Sequence, residues 1–250
     1  FPIVLAVLGL INLGIHLGAI GVIDWDPSRR LRIAIDLILL MIGVLGGRVI
    51  PSFTKNALPH AKVNPCPKAS VLALLSIAAL AIAEMATDNT AVTGAIALAA
   101  GVINVLRVRG WGTFATRRTP ILWILHVGYA WLAGGLILRG AAELTDLIPL
   151  DAGMHALTLG AIGSMIIGMM SRVALGHTGR SIVPAPLTVA AYWLVNAAAL
   201  LRVLFALTSD DTLRSVSLIG SGTLWSLAFA FFAIVYWPIL SRPRADGRPG

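Results

Sequence analysis

Long apolar runs recur along the chain at residues 2–23, 31–51, 69–87, 91–107, 119–139, 152–174, 184–206 and 215–240. Short clusters of charge, proline and glycine separate them. About 20 apolar residues in a helix cross a hydrocarbon core of about 30 Å. In a bilayer each segment must satisfy its own backbone hydrogen bonds, which favours helices. A membrane β-barrel would instead show alternating segments of about ten residues. The pattern therefore predicts an all-α fold, a polytopic transmembrane bundle of eight helices. The runs leave little chain for anything else, so residues 1–250 read as one transmembrane domain whose surroundings are a lipid bilayer.

Composition supports this reading, and the placement of charge refines it. Apolar residues make up 58% of the chain and charged residues 12%, against roughly 25% charged in a soluble domain. A net charge of +8 would suit a nucleic-acid partner, but its distribution argues for topology instead. The loops after the second, fourth and sixth runs, with the C-terminal tail, hold Arg48, Lys55, Lys62, Lys68, Arg107, Arg109, Arg117, Arg118, Arg172, Arg180, Arg242, Arg244 and Arg248. The opposite side holds only Arg29, Arg30, Arg32, Arg139, Arg202 and Arg214, and it holds nearly all the acidic residues. Basic loops stay in the cytoplasm, so both chain ends are expected there and no nucleic acid is expected as a partner. Cys66 is the one cysteine, so no internal disulfide can form, and Cys-x-x-Cys metal or redox spacing is absent. The chain opens Phe1-Pro2 rather than at Met, so the lack of a targeting signal carries no information.

Two segments echo one another. Arg48-Val-Ile-Pro-Ser-Phe-Thr54 closes the second run, and Arg172-Val-Ala-Leu-Gly-His-Thr178 closes the sixth, leading to Gly179-Arg180. Runs one and five both open with Pro-Ile, and runs three and seven carry Glu84 and Arg202 near the same end. Together these suggest a four-helix unit present twice in one orientation, residues 1–118 and 119–240. In the sixth run Ala156, Gly160, Ser164 and Gly168 form a small-residue stripe, which lets helix backbones approach closely in lipid. That helix should be central. Gly176 and Gly179 predict that it ends early, leaving a glycine-hinged loop.

Ionisable and polar groups inside a span are functional candidates because of their cost there. Asn12 and His16 share a face of the first helix with Gly9. Asp36 lies at a depth where it could meet His16, and His155 lies at a similar depth, four residues after Asp151. His16 and His155, backed by Asp36 and Asp151, form a candidate outer-half metal or haem site. Nearer the cytoplasm, His126 with Tyr129, and His177 with Arg172 and Arg180, form a second candidate cluster. An intramembrane histidine also serves as an ordinary helix–helix hydrogen-bonding group, and no His-x-x-x-His or other metal spacing is present. His60, in a polar loop, reads as solvated. Arginines offer a fork that binds carboxylate or phosphate, so the Gly176-His-Thr-Gly-Arg180 run is a candidate anion clamp, although lipid-headgroup contact would use the same residues. Trp111 and Trp237, near run ends, read as interfacial anchors.

At Gly46-Gly-Arg-Val-Ile-Pro-Ser-Phe-Thr-Lys-Asn56, Leu122-Trp-Ile-Leu-His-Val-Gly-Tyr-Ala-Trp131, and His155 to Gly163 running on to Gly176-His-Thr-Gly-Arg180, the chain resembles the NnrS family. The resemblance implies a bacterial inner-membrane protein containing haem b and copper, tied to nitric oxide response, nitrosative stress and denitrification. Nitric oxide or a related small molecule is then the expected partner. By resemblance His16, His126, His155 and His177 are candidate haem or copper ligands, undivided between the two. Arg48, Arg172 and Arg180 are candidates to hold a haem propionate. The resemblance also implies a further Trp- and His-rich four-helix portion in family members that nothing here matches, so this chain is expected to correspond to the last two of three units. No catalytic motif emerges, which leaves catalysis, binding and sensing open. A transporter or channel without a redox cofactor is the alternative from another class, since internal repeats with intramembrane polar groups also suit transporters. A scaffold subunit fits as well.

Overall fold

The computed structural model describes residues 2–24 and 26–247; Arg248, counted above with the tail charges, lies outside them. Eight long apolar helices run through it. We label them α1 (Pro2–Ala19), α2 (Pro27–Ala57), α3 (Pro67–Ala86), α4 (Thr90–Arg107), α5 (Pro120–Leu144), α6 (Leu150–His177), α7 (Pro186–Leu207) and α8 (Asp211–Leu240). Two short 3₁₀ turns, Val108–Gly110 and Thr113–Arg118, join α4 to α5. Among the described residues there is no strand. The chain is a multi-pass membrane protein built as a helical bundle.

Local chemistry marks the helix starts. Pro27, Pro67, Pro120 and Pro186 occupy first-turn positions, where the missing N–H has no intrahelical partner to lose. Asp26, Asn89 and Asp210 accept hydrogen bonds from the first-turn N–H groups of α2, α4 and α8, as helix caps do.

One helix end differs from expectation. α2 passes through Pro51 to Ala57 rather than stopping near residue 51, so Arg48–Thr54 lies within a helix. Proline inside a membrane helix is tolerated where neighbouring groups satisfy the freed backbone. α6 ends at His177, short of Arg180, as its glycines predict. Termination comes at Gly179, whose φ of +69° is left-handed. There Arg180 N–H donates to Leu175 C=O at 3.0 Å and Gly179 N–H to Gly176 C=O at 3.2 Å. This is the Schellman closure, which needs glycine at the left-handed position.

The buried middle of the bundle is α5 and α6, with α2, α3 and α4 on one flank and α7 and α8 on the other. α1 is the least buried helix and rests chiefly on α2. Glycine spacing explains the central contact. A Cβ on Gly160 would stand 2.5 Å from the Trp131 ring, and one on Gly163 2.6 Å from Trp225. Residues Ala156–Gly163 wind as a π-helix, and such widened turns recur at functional sites.

Candidate functional site: two buried polar centres

The Arg-rich loops and the C-terminal segment mark one end of the bundle, here called the basic end; the other is the acidic end. A buried polar centre lies toward each.

At the basic end, His126 of α5 is buried between two threonines. Its Nε2 lies 3.0 Å from Thr54 Oγ1 and its Nδ1 3.0 Å from Thr113 Oγ1. Thr54 gives its single hydroxyl proton to Ile50 C=O at 2.8 Å. Nε2 must therefore carry the ring proton and donate to Thr54, while Nδ1 accepts from Thr113. Both ring nitrogens are occupied, so ligation through either requires breaking a threonine contact.

Beside this histidine, Arg107 is 3% exposed. Its Nη1 donates to Gly43 C=O at 2.9 Å and to the Tyr129 hydroxyl at 2.7 Å, and its Nε to Ser70 Oγ at 3.4 Å. Tyr129 passes its own proton to Asn104 Oδ1 at 2.6 Å. Among the described residues Arg107 makes no ion pair. The rings of Trp111 and Tyr129, each 5.7 Å from its guanidinium carbon, supply cation–π attraction. Gly47 is required here, because a Cβ at that position would occupy the guanidinium's space. Arg107 reads in the sequence as a loop charge and Trp111 as an interfacial anchor. Arg107 is a core residue, and Trp111 is fully buried 4.6 Å from the Tyr129 ring. Asn104, three residues before Arg107 on an otherwise apolar face, is the signal that marks this centre.

The echoed segments meet at this end. The Arg172 guanidinium lies 3.7 Å from the centre of the Phe53 ring. Thr54 and Thr178 are both buried, and each donates its hydroxyl to the carbonyl four residues earlier. Arg180 Nη1 reaches Thr178 C=O at 3.4 Å, while Arg48 is exposed and makes no hydrogen bond. The three arginines of the expected clamp thus share no common partner. The His177 ring is exposed, and its carbonyl accepts from Arg244 Nη1 at 2.8 Å. Arg244 also grips Asp246, and Ala245 N–H donates to Thr178 C=O at 2.9 Å. The C-terminal segment therefore closes over the His-Thr-Gly-Arg turn.

The acidic end holds an ion cluster that sequence reasoning missed. Arg139 of α5 is fully buried. Its Nη1 donates to Asp36 Oδ1 at 2.7 Å, its Nε to Glu143 Oε1 at 2.9 Å, and its Nη2 to Glu84 Oε1. Arg32 Nε meets both oxygens of Glu84 at 3.2 and 3.3 Å. Asp36, expected behind His16, is thus paired with Arg139, while His16 is exposed on α1. Glycines bring these groups together: a Cβ on Gly153 would stand 2.6 Å from the Arg139 backbone nitrogen, and one on Gly94 2.8 Å from Glu143 Cβ. The available sequence signal was placement. Asp36 and Glu84 fall inside apolar runs and Glu143 stands four residues after Arg139, and a carboxylate at such a depth needs a cation.

His155 is half-buried at the acidic end, where the π-helical stretch begins, and neither ring nitrogen is hydrogen-bonded. Its ring centre lies 6.5 Å from that of Phe205. The Arg202 and Arg214 guanidiniums lie 5.2 and 5.1 Å from the same Phe205 ring. A cavity of about 360 Å³ next to them is lined by Leu159, Arg202, Ser221, Gly222 and Trp225. No two of the four candidate histidines share a hydrogen bond or ring contact. Among the described residues no group of three His, Cys, Asp or Glu side chains could hold a metal ion.

The family model described as NnrS protein matches residues 1–244. The chain belongs to the NnrS family. No curated protein and no solved structure matches it. In this NnrS chain the matched region takes in both polar centres and the echoed segments.

Proposed function

We propose that this chain is a haem-binding membrane protein of the nitric oxide response, with its basic end in the cytoplasm of a bacterial inner membrane. Family membership supports the setting, and His155 carries the assignment of a site. It is the one candidate histidine that is both partly buried and free at its two ring nitrogens, as a single axial haem ligand requires. Arg202, whose Nε is buried without a hydrogen-bond partner, would offer a cation to a propionate. His16 is exposed on α1, His126 is held by two threonines and His177 is exposed at the far end, so they rank behind it. Copper fits less well. The described residues assemble no multidentate donor set for it, so copper binding by this chain would rest on further donors. Haem, when bound, supplies the redox and gas-binding chemistry; the residues here would orient and enclose it.

The test is the optical spectrum and metal content of the purified chain beside His155→Ala. The reading expects a Soret band in the parent and its loss in the variant, with His16→Ala retaining it. An unchanged spectrum in His155→Ala removes this histidine from the site. The ion cluster within the membrane favours a second reading, transport without a redox cofactor. A colourless, metal-free preparation would support it.

A further inference from the structure

Three acidic side chains of this chain are buried, Asp36, Glu84 and Glu143, and they converge on Arg139. The remaining acidic residues, Asp24, Asp26, Asp88, Asp146, Asp151, Asp210, Asp211 and Asp246, are exposed. Two guanidiniums face the buried three: Arg139, fully buried, and Arg32, about a quarter exposed. Arg29 points past them to Asp88 and to the carbonyls of Glu84 and Thr87. α4 contributes only Thr90 and Thr93 to the surroundings, and α6 contributes Leu150. Three buried carboxylates against two cations leave one negative charge in a low-dielectric site, an expensive state.

The hydrogen bonds show where that excess resides. Both oxygens of Glu84 are engaged, Oε1 by Arg139 and Arg32, Oε2 by Arg32. Asp36 and Glu143 each give one oxygen to Arg139, and their others, Oδ2 and Oε2, are buried without a partner. A carboxylate oxygen left bare in such a site is costly, whereas a protonated one is neutral. Glu143, whose side chain is 5% exposed, also lines a polar cavity of about 130 Å³ together with Asp26, Arg29, Arg32, Glu84 and Asp88. That cavity lies at the acidic end, where the exposed Asp26 and Asp88 meet water.

We propose that Asp36 and Glu143 together form a proton-binding site, holding one proton between them and exchanging it with the aqueous phase through the Glu143 cavity. The two carboxyls, both bonded to one guanidinium, titrate as a unit. Uptake is balanced simply: one proton from water joins a carboxylate oxygen, and the buried cluster goes from one excess negative charge to none. An intramembrane proton site reached from one face is the element a proton relay needs.

The test is infrared difference spectroscopy of the reconstituted chain, reading the C=O stretch of protonated carboxyl groups. The proposal expects one such group per chain at neutral pH, with the isotope shift in D₂O that marks an exchangeable proton. Glu143→Gln should abolish the band, since glutamine takes the place of the neutral acid. Asp36→Asn should abolish it too, because two carboxylates then balance two guanidiniums. Asp88→Asn, exposed and outside the buried set, should retain it. Absence of the band in the parent chain overturns the proposal, and this holds whether or not the variants fold. Persistence of the band in both Glu143→Gln and Asp36→Asn also overturns it. So does a parent chain with no band whose thermal stability depends on Na⁺, because an alkali cation then occupies the site.

Discussion

Replacing Arg139 by methionine removes the one group that holds three buried carboxyls, and the hydrogen bonds allow the cost to be worked out. Breaking a buried ion pair by removing one partner costs about 3–5 kcal/mol. Glu84 keeps Arg32, so it is not stranded. Asp36 and Glu143 lose their only hydrogen bonds, and simple doubling would give about 6–10 kcal/mol. That figure is too large for two reasons. If the pair already shares a proton, only one of the two is charged. A stranded carboxylate can also escape by taking up a proton. At neutral pH, about three units above its ordinary value, this costs about 4 kcal/mol. The expected loss for Arg139→Met is therefore about 4 kcal/mol at neutral pH.

Unfolding in mixed micelles, followed by helix content, measures this loss. The loss should shrink as pH falls, because protonating the carboxyls then costs less. Combining Arg139→Met with Asp36→Leu and Glu143→Gln should recover most of the stability, since replacing a whole buried charge set by neutral groups is often neutral. An Arg139→Met variant within about 1 kcal/mol of the parent, a small change on the scale of buried ion pairs, and flat with pH would show that Arg139 does not stabilise the carboxyls. It would mean that the cluster is hydrated enough for its charges to stand alone.

Two further variants probe the basic end. Tyr129→Phe deletes the hydroxyl between Arg107 and Asn104, and should cost about 1–3 kcal/mol by leaving buried polar groups without a partner; a stability equal to the parent's would show that the hydroxyl link is dispensable. Gly179→Ala forces a side chain into a left-handed position, at about 1–2 kcal/mol, and pushes its Cβ against the Asp246 carboxylate. Limited proteolysis should then cut the segment at Arg244 faster than in the parent, and equal cutting would show that the turn does not hold the tail.

Much of this protein is decided locally, and that part is legible in the sequence. A segment in lipid must close its own backbone hydrogen bonds, so the length and polarity of each run determine eight helices without reference to any partner. Charge asymmetry between loops and the small-residue stripe of α6 are local signals of the same kind. The resemblance to the family also rested on contiguous motifs, and the match over residues 1–244 agrees with it. The end of α2 was less legible, because Pro51 has an ordinary helix-breaking tendency and the helix nevertheless continues through it to Ala57.

The sites depended on the way helices turn about their own axes, which no single segment specifies. His16, Asp36, His155 and Asp151 read in the sequence as lying at a similar depth, yet Asp36 faces Arg139 on α5 and His16 stands exposed on α1. Arg107 and Arg139 look alike in sequence, each a basic residue near the end of an apolar run. Contacts at Gly94, Gly101, Gly140 and Gly153 set the packing of α5 against α4 and α6. That packing places Arg139 among three carboxylates and Arg107 among rings, carbonyls and hydroxyls. Which segments enter the membrane is legible in the chain alone, because each helix must satisfy its own backbone there. Which buried charges meet depends on the tertiary structure, because Asp36 and Glu84 reach Arg139 from helices far apart in the chain, and only Glu143 shares its helix.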